Sequence, residues 1–137
     1  MEDDVFLKEY IELTKNLFEI LEVELEELTE QEKHLLIAYS FGMISAMAEE
    51  NQISLDTKYF AVENVIMEVF QYSKQISTDI RKKLVDSTQK GGSEAFMIMI
   101  HQGKYIYPKY KDGNYNEVYD RLTNLIDVIV TEEYKNY

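Results

Sequence analysis

The chain has 137 residues, 45% of them hydrophobic, which is the size and composition of one globular domain, so we expect a single domain over residues 1–137, and the apolar spacing described below predicts that it is helical. Its formal net charge of −12 argues against binding to nucleic acid or to an anionic membrane surface, because both require positive charge on the protein, and it favours a basic partner. The absence of cysteine excludes a disulfide framework and a thiolate nucleophile, and with the acidic start of the chain it leads us to expect a cytoplasmic protein.

The first predicted helix covers residues 4–28, where apolar residues recur at the spacing of an amphipathic helix. Its opposite side is crowded with glutamates that repel one another. This side is either a solvated face or an acidic surface that binds a cationic partner. The glutamates that we assign to partner binding are Glu19, Glu22, Glu26 and Glu27.

The second predicted helix begins at a capping box headed by Thr29 and contains the most apolar stretch of the chain, residues 35–48. Ala38, Gly42 and Ala46 recur every four residues along one flank, where small side chains allow another backbone to approach closely. The stretch is shorter than the roughly 20 apolar residues needed to cross a bilayer. We therefore expect it to form the central buried helix and not a membrane span.

Two amphipathic helices are predicted next. The third helix has Ser54 or Asp56 as its N-cap and an apolar stripe that starts at Leu55. The fourth is shorter, with Ser77 as its candidate cap, and it carries the basic run at residues 81–83. Such a run near a helix C-terminus is more typical of charge that compensates the helix dipole than of a nucleic-acid site.

Gly91 and Gly92 interrupt the helical pattern, and they lack the Lys-Ser or Lys-Thr that follows a phosphate-binding loop, so we interpret them as a turn. Residues 94–100 are compatible with a buried strand or with a helix capped by Ser93; we favour the helix because the chain has no comparable second strand. Residues 105–115 contain the sole proline and an Asp-Gly pair, and they are predicted to form a loop. The last predicted helix has its apolar stripe at Val118, Leu122, Leu125 and Ile129.

Residues that carry catalytic chemistry are sparse. His34 and His101 occur in no spacing typical of a metal site, so we expect neither a metal nor a cofactor. The serines of the apolar helix, Ser40 and Ser45, are better explained by helix packing than by a hydrolytic triad.

Tyrosines are concentrated near the proline. Tyrosine is favoured in protein interfaces because it offers a large rigid ring with a polar tip, although the same rings can also cover a small core. Together with the acidic first helix, this cluster favours a binding module over an enzyme. The cluster consists of Tyr105, Tyr107, Tyr110 and Tyr115.

Several segments together resemble a known family. They are Tyr39-Ser-Phe-Gly-Met-Ile, Ser54-Leu-Asp, Val69-Phe-Gln-Tyr-Ser, and Ile100-His-Gln-Gly with Tyr107. They are similar, over about residues 35–130, to the all-helical family of bacterial polymorphic toxin systems designated immunity protein forty-eight. The resemblance implies a cytoplasmic, non-enzymatic antidote that binds and blocks a cognate toxin, with His101 as a structural or contact position.

We therefore predict an all-α fold, a compact bundle of five to six helices around a central apolar helix, and an immunity protein that neutralises a basic toxin by occluding its surface. Two alternatives remain: an acidic mimic of nucleic acid that inhibits a DNA- or RNA-binding protein, and a helical enzyme or small-ligand binder that uses His101. An exposed apolar helix face can also form a homodimer. The residues assigned to partner binding are Glu19, Glu22, Glu26, Glu27, His101, Tyr105, Tyr107 and Tyr110.

Overall fold

The computed structural model describes residues 1–89 and 92–135, and all the regular structure in this part of the chain is helical. The predicted all-α bundle is confirmed. The helices are α1 (Asp3–Leu21), α2 (Glu30–Glu50), α3 (Leu55–Glu68), α4 (Lys74–Ser87), α5 (Glu94–Lys111) and α6 (Tyr115–Lys135), with one turn of 3-10 helix at Leu25–Glu27.

Helix α2 is the centre of the bundle. Every residue from 35 to 48 is buried except Ala46, which is partly exposed. The predicted capping box is present: the backbone N–H of Glu32 donates to Thr29 Oγ1 at 3.1 Å, and the Thr29 N–H donates to the Glu32 carboxylate at 2.9 Å. The cap fixes where the helix begins, and burial on all sides explains why its apolar residues cover the whole circumference.

Helices α2 and α5 touch backbone to backbone at two glycines. A Cβ atom added to Gly42 would lie 2.0 Å from the carbonyl oxygen of Ile100, and one added to Gly103 would lie 2.2 Å from the carbonyl oxygen of Tyr39. The predicted close approach at Gly42 is thus confirmed, and Gly103 is its counterpart on α5. Neither position has room for a side chain, so these glycines set the distance between the two helices.

The first helix is shorter than predicted. It ends at Leu21 because Glu22 takes the left-handed conformation, with φ of 57°, and its N–H bonds back to Glu19 and Phe18. The chain then forms the single 3-10 turn, closed by reciprocal contacts between Glu24 and Glu27. The prediction that this helix runs to residue 28 was wrong. The apolar spacing continues beyond Leu21 because the leucines of the following turn still pack on the core.

The predicted loop at residues 105–115 is also wrong over most of its length. Helix α5 continues to Lys111 with Pro108 in its interior. Proline removes one helical hydrogen bond and crowds the preceding turn, a cost that burial of Ile106 and Tyr107 against the core offsets. The turn follows the helix, at Gly113 with φ of 80°, where the Asp-Gly signal placed it.

The caps of the other helices differ in how well they were predicted. Ser54 caps α3 and Ser93 caps α5, as expected, and residues 94–100 are helical. Helix α4 begins one turn earlier than predicted: Ser73 is its cap, whereas Ser77 is buried and donates to the Ser73 carbonyl oxygen at 2.7 Å. Leu55, predicted to be the start of a buried stripe, is 62% exposed.

The glycine turn falls partly outside the described residues, since Gly91 is not among them. Gly92 passes so close to α4 that an added Cβ would lie 2.3 Å from the Ser87 Cα. In the basic run, Arg81 pairs with Glu63 at 3.4 Å and Lys83 lies over the ring of Phe96 at 4.7 Å. The two outer cations of the run therefore join α4 to its neighbours.

Candidate functional site

The acidic helix and part of the tyrosine cluster lie side by side. Asn16 of α1 donates its side-chain amide to the hydroxyl of Tyr110 at 3.0 Å. The ring of Tyr110 in turn lies 5.5 Å, centroid to centroid, from that of Tyr115 at the start of α6. These contacts bring together two features separated by about ninety positions in sequence.

Between α1 and α6 runs an open groove of about 430 Å³, which we call the acidic groove. Tyr115 and Tyr119 are 44% and 43% exposed, so their rings are accessible from solvent. A partner that covered them would bury apolar ring surface while their hydroxyl groups remained free to hydrogen-bond. The groove is lined by Asn16, Glu19, Ile20, Glu22, Tyr115, Asn116 and Tyr119.

Most of the net negative charge of the protein lies in residues 1–32, which include α1. Residues 1–32 contain twelve of the 26 acidic residues and two of the 14 basic residues, which is a net charge of −10 out of −12. Glu19 and Glu22 lie at the C-terminal end of α1, whose last turn has no basic residue. Helix C-termini are already partially negative, so both carboxylates are in an unfavourable position, and neither forms an ion pair within the described residues. A cationic partner would relieve this repulsion.

The same electrostatics affects Tyr110. Burial raises the pKa of its hydroxyl, and the neighbouring Tyr115, Glu9 and Glu12 raise that pKa further, while the hydrogen bond from Asn16 acts in the opposite direction. The hydroxyl therefore stays neutral at physiological pH. It accepts from Asn16 and keeps its own proton for a second hydrogen bond.

A second depression of about 420 Å³ adjoins the groove and shares Tyr115 with it. Lys111 of α5 pairs with Glu50 of α2 at 3.1 Å on its wall. Tyr107 also lines this depression but is only 6% exposed, so its ring belongs mainly to the core. Tyr110 is half-buried.

The eight residues predicted to bind a partner do not form one patch. Tyr105 is 53% exposed and lies under the guanidinium of Arg121, at 5.1 Å, instead of facing α1. His101 is exposed one helical turn earlier on α5. Glu26 and Glu27 are exposed on the 3-10 turn that follows α1. The members that line the two adjoining depressions are Glu19, Glu22, Tyr107 and Tyr110.

Four residues that line the groove were not identified from the sequence: Asn16, Ile20, Asn116 and Tyr119. Tyr119 follows the first residue of the predicted apolar stripe of α6, yet it is exposed. Its four-residue spacing from Tyr115, which places both rings on one helix face, was the available signal. Asn16 carries no comparable signal, because its role depends on a contact with Tyr110 that only folding creates.

Among residues 1–89 and 92–135, no three His, Cys, Asp or Glu side chains are grouped so that they could hold a metal ion. His34 lies between the rings of Tyr72 and Phe96, and burial lowers its pKa, so it is neutral at physiological pH. None of the described helices is both long enough and apolar enough to span a bilayer.

These observations define an all-helical, strongly acidic protein with an open tyrosine-lined groove. Comparison with protein families identifies the particular group: the family described as Immunity protein 48 matches residues 6–130, and the chain belongs to this family. The predicted family is confirmed, and the match extends the expected region to include the acidic helix α1. Neither the curated proteins nor the solved structures contain a significant match.

Proposed function

We propose that this protein acts as one helical domain in the cytoplasm, where it binds a cognate bacterial toxin and neutralises it by covering its surface, without catalysing a reaction. Membership of the Immunity protein 48 family supports the immunity function. The observation that carries the binding mode is the acidic groove, where two exposed tyrosines lie beside two carboxylates that have no ion pair in the described part of the chain.

The acidic residues speed the encounter between this protein and the toxin. With ten of twelve net negative charges in residues 1–32, the field of the protein draws a basic surface toward α1. Glu19 and Glu22 then pair with lysine or arginine side chains of the toxin. We expect the association rate to fall as salt is added, because salt screens this field over about 10 Å at 0.1 M.

The tyrosine rings lengthen the residence time of the toxin on this protein. Tyr115 and Tyr119 present their rings toward the same groove and fill depressions on the toxin surface. Tyr110 is held by Asn16 and packs against Tyr115, so it supports the groove wall from the adjoining depression and has little entropy left to lose on binding.

The decisive experiment is a protection assay in cells that produce the toxin encoded beside this protein. The double variant Glu19→Lys with Glu22→Lys should lose protection and toxin binding. The matched control, Asp79→Lys with Asp86→Lys, makes the same charge change on exposed positions of α4 and should protect normally. Loss in both variants would show that only net charge matters, and retention in both would remove the acidic groove from the mechanism.

The same purified complex separates this function from nucleic-acid mimicry. A toxin held through the acidic groove is expected to remain bound when a DNA duplex that does not itself bind the toxin is added. Capture of a DNA- or RNA-binding protein that the duplex displaces would support the mimic instead.

A further inference from the structure

A separate cavity of about 270 Å³ opens between α2, α5 and α6. It shares no residue with the acidic groove, and its lining combines polar and apolar side chains. The lining residues are Tyr39, Gln102, Arg121, Asn124, Leu125 and Val128.

Tyr39 is the buried wall of this cavity. The residue as a whole is 1% exposed, and its hydroxyl, which makes no hydrogen bond within the described part of the chain, lies at the cavity. Among the described side chains, only the Tyr10 hydroxyl is both enclosed and without a hydrogen-bond partner, so the Tyr39 hydroxyl is open to the cavity and can donate to a ligand there. Burial raises the pKa of Tyr39, so the hydroxyl is protonated at neutral pH and available as a donor.

Arg121 brings a fixed positive charge to the same cavity. Its Nε donates to Glu117 at 3.2 Å, and its guanidinium packs over the ring of Tyr105 at 5.1 Å. Glu117 is held in turn by Lys109 at 3.1 Å. The Glu117 contact uses only one of the five N–H donors of arginine, so the four on the two Nη atoms remain available for an acceptor.

We propose that this cavity binds a carboxylate, which accepts hydrogen bonds from the Nη groups of Arg121 and from the Tyr39 hydroxyl. The amides of Gln102 and Asn124 lie in the same lining and supply further donors. Leu125 and Val128 form an apolar wall suited to the short aliphatic chain that carries the carboxylate. The matching ligand is a glutamate side chain of a partner protein or a free dicarboxylate of similar length.

Titration of the ¹⁵N-labelled protein, followed by NMR, tests the site without any toxin. The probes are glutarate, N-acetyl-glutamate methylamide, and the neutral N-acetyl-glutamine methylamide. We expect saturable shifts at Gln102, Asn124 and the Arg121 side chain with the two carboxylates only. Tighter binding of the capped glutamate assigns the site to a protein side chain, and tighter binding of glutarate assigns it to a free dicarboxylate. Equal binding of the glutamine probe, or no saturation with either carboxylate, overturns the proposal.

Two variants test the donors directly. Tyr39→Phe removes only the hydroxyl, and Arg121→Gln removes the charge; each should weaken carboxylate binding about tenfold, because each deletes a hydrogen bond to a charged group. The control is Tyr10→Phe, since Tyr10 is an equally buried tyrosine that does not line this cavity. Unchanged affinity in Tyr39→Phe, with a native spectrum, would overturn the role of the hydroxyl.

Discussion

The axis formed by α2 and α5 and the acidic groove between α1 and α6 place opposite demands on their residues. At the axis, Gly42 and Gly103 leave no space for even a methyl group, so packing alone determines the sequence there. At the groove, Glu19 and Glu22 occupy a helix end that disfavours negative charge, and two tyrosine rings remain accessible. The two glycines of the close contact and the two unfavourably placed glutamates thus lie on different helices. Unfavourably placed residues of this kind are expected of a surface that binds another molecule.

The largest expected effect comes from adding one methyl group at the axis. Gly42→Ala should lower the free energy of unfolding by about 3 kcal/mol or more, because the new Cβ cannot avoid the Ile100 backbone without moving a helix. Urea denaturation followed by circular dichroism measures this change. The control Gly113→Ala should cost only about 1–2 kcal/mol, since that glycine has a positive φ but open space around it. Similar costs at both positions would mean that α2 and α5 can separate easily.

The next effect is on binding and should leave folding untouched. Tyr119→Ala should weaken the affinity for the toxin by about 2 kcal/mol, as expected for an aromatic residue in the centre of an interface. The free energy of unfolding of this variant should differ little from that of the unmodified protein, because the Tyr119 side chain is 43% exposed. Calorimetric titration of the toxin gives the affinity. Phe60→Ala is the control, since Phe60 is an exposed ring, at 62%, on α3. Equal losses of affinity in Tyr119→Ala and Phe60→Ala would show that the toxin does not bind at the acidic groove.

The smallest effect is a gain in stability. Glu19→Lys should raise the free energy of unfolding by about 0.3–1 kcal/mol at low salt, since it replaces an acid with a base in the last turn of α1. The mirror control is Asp56→Lys in the first turn of α3, which should lower stability by a similar amount. Both changes should shrink in 0.5 M NaCl. A loss of stability in Glu19→Lys would show that this carboxylate is satisfied in the free protein.

Much of the fold could be predicted because its signals are local. Thr29, Ser54 and Ser93 cap helices where the sequence placed them, since a hydroxyl that accepts from a backbone N–H three residues later depends on nothing distant. The helix over residues 94–100 and the buried centre at residues 35–48 were likewise correct. Errors occurred where local signals conflicted with packing, as at Pro108, which remains helical because its neighbours are buried.

The residue types of the candidate site could be predicted from the sequence, but the contacts between those residues could not. The excess of glutamate in the first helix and the density of tyrosines near the proline are visible in the amino-acid sequence, because composition and spacing do not depend on the fold. Three further features depend on the folded arrangement: Tyr110 hydrogen-bonds with Asn16, Tyr107 is largely buried, and Tyr105 packs under Arg121. The reason is that periodicity defines which side chains share a helix face, whereas the neighbour covering that face comes from residues far away in the chain.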